Sequence, residues 1–232
     1  MDLGSGALWG ALLAIIVANL LLSGDNAVVI AMAARSLPAD QQKKAIFWGS
    51  AGAIALRIAL TIVAVEMLGV PFLKIAGALA LLWIGIQLLV DKEDEGEVHA
   101  HGTLFAAIRT ILVADLVMSV DNVIAVAGAA DRAPADLRLP LLIVGLATSI
   151  PLIIAGSTLL MKVMQRFPII ITLGAGLLGW LAGEMIATDP AVEPWFKRVV
   201  PAAELVIGVI GAALVVIVGK CLHLRARNAE AA

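Results

Sequence analysis

The stretch Ala18-Asn19-Leu20-Leu21-Leu22-Ser23-Gly24-Asp25-Asn26 sets two amides, a hydroxyl and a carboxylate inside an otherwise apolar run. The pattern returns 96 residues later as Ala114-Asp115-Leu116-Val117-Met118-Ser119-Val120-Asp121-Asn122. Ser, Asp and Asn coincide in the two copies, and Asn19 falls on Asp115. An Asp near the centre of a membrane-spanning helix costs about 2.5–3.5 kcal/mol on insertion scales, so it is rarely left without a partner or a task. Identical polar residues at one offset therefore mark a duplicated unit. Working outward, the same offset lays Pro38-Ala39-Asp40 on Pro134-Ala135-Asp136. An offset of 97 lays Pro71, Gly77, Trp83 and Gln87 on Pro168, Gly174, Trp180 and Glu184.

The solvent for most of this chain is lipid. Of 232 residues, 62% are hydrophobic and 15% charged, and the mean hydropathy is +1.04; soluble domains are roughly 25% charged. A helix that spans the hydrocarbon core needs about 20 mainly apolar residues. Seven segments qualify, near 7–33, 44–68, 71–91, 104–130, 138–162, 168–188 and 201–223, separated by Pro- and Gly-containing breaks. The expected fold is an all-α membrane protein of about seven transmembrane helices. Each duplicated unit holds three spans, an odd number, so the second copy enters the membrane from the opposite face and the repeats are inverted. The chain divides into a first three-helix repeat (1–91), an acidic and His-bearing loop (92–102), a second repeat (103–188), a loop with the seventh helix (189–223) and a short basic tail (224–232). Lys and Arg accumulate in short cytoplasmic loops. Nine against five favour an external N-terminus and a cytoplasmic C-terminus.

On a helix, positions three and four apart share a face, so Asn19, Ser23 and Asn26 form one stripe with Asp25 beside it. Asp115, Ser119 and Asn122, with Asp121 adjacent, form the other. Facing each other, the stripes offer only oxygen donors, a set that suits magnesium, manganese or calcium better than zinc or copper. The bland alternative is that Ser and Asn merely hydrogen-bond helix to helix. Gly24 weakens the helix at the first motif; Val120 takes its place in the second. Glu184 is a supporting candidate, as a proton carrier or as an interfacial residue. Glu66, Arg57 and Arg109 read as ion pairs or as side chains snorkelling to the headgroups. His99 and His101 lie in a solvated acidic loop that could also collect metal. The Gly49/Gly52 and Gly174/Gly176/Gly179 spacings read as close helix packing.

A net charge of −2 and the lack of basic clusters with aromatic platforms exclude a nucleic-acid partner. No HExxH, GxSxG, P-loop or paired CxxC motif occurs, so no enzyme activity and no prosthetic group are expected. Cys221, the lone cysteine, precludes an internal disulfide. The first apolar stretch is too long for a cleaved signal.

LLSGDNAVVIAMAARSLP, the following WGSAGAIALRIALT, and VMSVDNVIAVAGAA in the second half resemble the TerC family of integral membrane proteins, in its short bacterial, YjbE-like branch. The resemblance spans roughly residues 7–188. It implies a seven-helix protein of the wider lysine-exporter-like superfamily, associated with manganese efflux, tellurite resistance and supply of metal to exported enzymes. It also implies that Asp25 and Asp121, with Asn26 and Asn122 beside them, carry the family motif. The expected function is a secondary transporter of the bacterial cytoplasmic (inner) membrane that exports a divalent cation, Mn2+ foremost, through a midplane site. Asp25, Asp121, Asn26, Asn122, Asp115 and Asn19 would bind the metal, supported by Ser23, Ser119 and Glu184. Two alternatives stand beside it: a membrane scaffold that supplies metal to partner proteins or assembles them, and an exporter of a small organic solute such as an amino acid. Lipid and a divalent metal ion are the expected partners, and a homo-oligomer or membrane partner proteins are left open.

Overall fold

Lipid offers no hydrogen bonds to a backbone, which restricts a spanning chain of this composition to helices. The computed structural model describes residues 6–21, 24–67, 70–90, 103–130 and 137–230, with the side chains of a smaller set, and every regular element among them is helical. In chain order these are α1 (Gly6–Leu21), α2 (Gly24–Ala34), α3 (Ala39–Met67), α4 (Leu73–Val90), α5 (Leu104–Ala130), α6 (Arg138–Ala147), α7 (Ile150–Arg166), α8 (Ile169–Ala187), α9 (Glu193–Val199) and α10 (Ala203–Glu230). The protein is an all-α membrane protein. Among the described residues, Leu73–Val90, Leu139–Arg166, Ile169–Ala187 and Ala203–Arg225 are long and apolar enough to cross a bilayer. Helices α3 and α5 are longer than most of these, at 29 and 27 residues, and they carry the ionisable groups described below. The first expected span corresponds to α1 and α2. The fifth corresponds to α6 and α7.

The fifth span is segmented and lies beside α1 and α2. Pro151, in the first turn of α7, has no N–H to give and its ring opposes the carbonyl one turn earlier, so the fifth span turns at Thr148 and Ser149. Their hydroxyls donate to the Gly145 carbonyl, at 2.8 and 3.3 Å. Alongside, Gly145 meets Ile15 of α1, and Gly156 faces Ala27 of α2. Helix α2 is buried nearly all round, from Asn26 through Ala34, with only Val28 partly open. It packs among α7, α5, α3 and α8. In the other half α3 and α5 run together without interruption, with Gly49 against Ile111 and Gly52 against Leu112. Helix α4 packs on α8, and α10 covers both. Exchanging spans one, two and three with four, five and six maps these pairings onto each other, since the first-with-fifth pair becomes the fourth-with-second and the third-with-sixth is unchanged.

Two elements depart from the sequence reading. Residues 193–199, expected as loop, form α9, which exposes Trp195 and carries Lys197 and Arg198 in its last turn. The seventh helix does not stop near residue 223 but continues through Arg225 and Arg227 to Glu230. The acidic loop 92–102, with His99 and His101, lies outside the described residues.

The α8–α10 seam is the tightest in the bundle. A Cβ on Gly179 or Gly183 would strike the backbone of Gly211 or Ile207, and one on Gly211 would strike Gly179. Close approach of this kind replaces the hydrophobic drive that lipid removes. We expect Gly183→Leu to lower the melting temperature in detergent by well over 5 °C, since overpacking costs about 1–3 kcal/mol or more and the clash is with rigid backbone. A melting curve within 1 °C of wild type would refute the seam.

Asp189, buried just beyond α8, caps another helix across the bundle. Its carboxylate accepts N–H groups from Phe72 (2.9 Å), Ile75 (3.2 Å) and Ala191 (2.8 Å). The first two open α4, where helix polarity favours an anion. Burial alone would raise the Asp189 pKa, but the amides of Ala191, Phe72, Ile75 and Lys74 outweigh it and hold the group below the usual carboxylate range. The stabilisation is therefore complete above the unfolded-state pKa of about 3.9 and is lost as pH falls through the lower folded value. Asp189→Ala should cost roughly 2 kcal/mol, or about 4–8 °C, at neutral pH. The difference from wild type should shrink when both are melted at the lowest pH that detergent samples tolerate. An equal deficit at every pH would show that the carboxylate's charge plays no part.

Candidate functional site

Arg57 is the key to the polar centre. It lies in α3 within an apolar run, Ala45 to Val65, that holds no other charge, and it is the largest side chain fully buried among the described residues, at 1% exposure. A guanidinium cannot be deprotonated in a protein, so its charge must be met where it lies. Asp115 and Ser119, one turn apart on α5, meet it. Arg57 Nη2 donates to Asp115 Oδ1 at 2.6 Å and Nε to Ser119 Oγ at 3.0 Å, while the Ser119 hydroxyl donates to Asp115 Oδ2 at 3.1 Å. Both oxygens of Asp115 are thereby engaged, and the three groups close a ring inside the bundle.

Asp25 approaches from a third helix. Gly24, Asp25 and Asn26 form the first turn of α2, and the Asn26 N–H donates to Asp25 Oδ1 at 2.8 Å. Asp25 lies within electrostatic reach of both Arg57 and Asp115. The first turn of α2 thus lies near the same guanidinium and carboxylate. Asn26 is buried beside it.

The sequence-derived candidates separate accordingly. Asp25, Asn26, Asp115 and Ser119 converge on the meeting point of α2, α3 and α5. The backbone of α5 runs unbroken through Asp121 and Asn122, but the side chain of Asp121 lies outside the described residues, as do Ser23 and the side chain of Asn19. Asn122 is half-buried. Glu184 is half-buried near the end of α8, where its carbonyl accepts from Thr188, and no described hydrogen bond joins its carboxylate to Arg57. Its repeat counterpart Gln87 is exposed. Among the described residues, no group of three His, Cys, Asp or Glu is placed to hold a metal.

Snorkelling, one of the two readings for Arg57, is corrected by the ring: the side chain points inward to a carboxylate and not outward to headgroups. The signal was present as a single cation in about 20 apolar residues, the length of a span; which residue would answer it is a tertiary fact. Arg109 is exposed. Sequence reasoning also passed over Ser50 on α3 and Ser157 on α7, whose buried hydroxyls have no hydrogen-bond partner among the described residues.

Removing one member of a buried pair leaves the other charge uncompensated, at about 3–5 kcal/mol, whereas replacing both by apolar groups is often neutral. Arg57→Met alone and Asp115→Leu alone should therefore each destabilise the protein by several kcal/mol in detergent, and the double variant by less than either. Additive losses would mean that the pair carries no coupling.

Residues 5–227 match the model of the integral membrane protein TerC family. The uncharacterized membrane protein YjbE of Bacillus subtilis is 48% identical over 178 residues, 77% of this chain and 79% of that protein. YceF, an uncharacterized membrane protein of the same organism, is 32% identical over 127 residues, covering 50% of this chain and 49% of its own. The inner membrane protein YoaE of Escherichia coli K12 is 22% identical over 201 residues, 78% of this chain and 38% of that protein. No solved structure matches.

Proposed function

The chain belongs to the TerC family of integral membrane proteins, and on that premise we propose that it is a secondary transporter exporting a divalent metal cation, with manganese as the cargo toward which the family resemblance points. The observation that carries the proposal is the meeting of Asp25, Asp115 and Arg57, from three helices, in the interior of a lipid-embedded bundle. Ionisable groups at such depth are expensive, and they mark ion or substrate pathways by default.

Donor chemistry supports the choice of cargo. Asp25, Asn26, Asp115 and Ser119 supply oxygen alone, and hard divalent cations prefer oxygen. Asp25 and Asp121 are the proposed principal ligands, with Asn26 and Asn122 beside them; Asn19 and Ser23 share the stripe of Asn26, adjacent to the first Asp. Asp115 is a further proposed ligand, whose two oxygens are engaged by Arg57 and by the Ser119 hydroxyl. Glu184 is retained as a proton carrier outside the cluster. No covalent chemistry and no prosthetic group are called for.

Inverted repeats support alternating access, in which one half rocks against the other around a fixed midplane site. The packing network, unchanged when the halves are exchanged, fits that design, as does the start of a short helix, α2, beside the carboxylates. We place the protein in the bacterial cytoplasmic membrane with its N-terminus outside and its C-terminus inside, on the balance of basic residues.

Asp25→Asn should reduce manganese efflux from loaded proteoliposomes by at least about tenfold, the effect of losing a charged ligand worth more than 1.4 kcal/mol. Because the Arg57–Asp115 pair stays intact, its melting temperature should change little. Wild-type efflux in a well-expressed variant carrying both Asp25→Asn and Asp121→Asn would end the metal-site reading. Parallel assays with amino acids would reveal an organic cargo instead.

A further inference from the structure

We propose that Arg57 is a tethered cation that takes the cargo's place on the carboxylates when the transporter is empty, so that the empty protein can reset without a returning co-ion. The inference rests on the transport reading above and specifies how the same site is regulated.

Three observations lead to it. Arg57 is permanently charged and almost wholly buried. Its fork occupies Asp115 directly and through Ser119, leaving neither carboxylate oxygen of Asp115 free. Asp25, on another helix and in the other sequence repeat, feels the same guanidinium. A divalent ion that took Asp115 as a ligand with Arg57 unmoved would set two cations on one carboxylate, in a medium that screens poorly. Ion and guanidinium therefore exclude each other: cargo enters as Arg57 withdraws, and Arg57 returns as cargo leaves.

The return matters for the cycle. A carrier that has released its ion must pass between its two openings with its carboxylates unfilled, and a bare buried carboxylate lowers the population of that state by about a hundredfold. Carriers commonly solve this with a proton or a second ion. Here the protein brings its own cation, attached to α3, and net flux down the metal gradient follows without a counter-ion. A guanidinium that only stapled α3 to α5 would have no such effect on one flux mode over another.

The test uses full-length protein in proteoliposomes and radiolabelled manganese(II) in two modes. Net efflux into ion-free buffer requires the empty protein to reset; exchange at equal manganese inside and outside does not. For Arg57→Gln we expect the ratio of net efflux to exchange to fall by about tenfold or more relative to wild type, with exchange still measurable. For Arg57→Lys, which keeps the charge and loses the fork, the ratio should stay within about threefold of wild type. A folded Arg57→Gln protein that keeps the wild-type ratio, or loses both modes together, overturns the proposal. Should that variant fail to fold, Arg57→Lys decides alone, because a collapsed ratio with the charge retained is equally fatal. Wild-type protein that shows neither mode removes the transport reading itself, a result distinct from any change in ratio.

Discussion

A permanent positive charge inside an apolar bundle is the constraint around which the rest of this protein is arranged. Lys can shed its proton when buried and Asp can acquire one, but Arg keeps its charge, so α3 can sit in the interior only where another helix supplies a carboxylate. Asp115 does so at 2.6 Å, and Ser119 takes a second donor of the fork and steadies the second carboxylate oxygen. The pair fixes the register of α3 on α5. Gly49 and Gly52, earlier on α3, let Ile111 and Leu112 press close, so the backbone separation and the ion-pair distance are set together. Asp25, in the first turn of α2, lies within electrostatic reach of the same guanidinium.

Much of this architecture is legible in the residues alone, because lipid makes the rules few. Every long apolar run has to be a helix, and the punctuation at Pro38, Pro71, Pro134, Pro168 and Pro201 divides one from the next. The repeated Ser-x-Asp-Asn pointed to α2 and α5; on α5 the described groups are Asp115 and Ser119, which meet Arg57, while the side chain of Asp121 lies outside the described residues. Small residues at Gly49, Gly52, Gly174 and Gly179 were read as packing surfaces, and each has a neighbouring helix against it.

What stayed hidden depends on partners. Arg57 in a run of Ala, Ile and Leu can snorkel or pair, and only the position of α5 decides between them. Glu184 and Gln87 correspond by repeat, yet one is half-buried and the other exposed, because correspondence in a duplication fixes topology and not surroundings. Helix α9 was missed because Asp189-Pro190 and Glu193-Pro194 look like loop. Pro194 instead serves at the first turn of a helix, where a missing N–H costs nothing. The seventh helix outran its expected end because charge, in Arg225 and Arg227, was read as a stop, although no Gly or Pro follows Gly219.

Helix α10 has no counterpart in either repeat, and it is pressed onto α8 through bare backbone while also covering α4. Two halves of identical shape would make the inward and outward openings degenerate in energy, leaving cargo and voltage alone to choose between them. An unpaired brace lifts that degeneracy. It meets α8 through bare backbone but α4 through side chains, with Val215 over Gly85 and Leu89 over Gly219, so in the proposed alternating-access cycle the two openings would load the brace unequally.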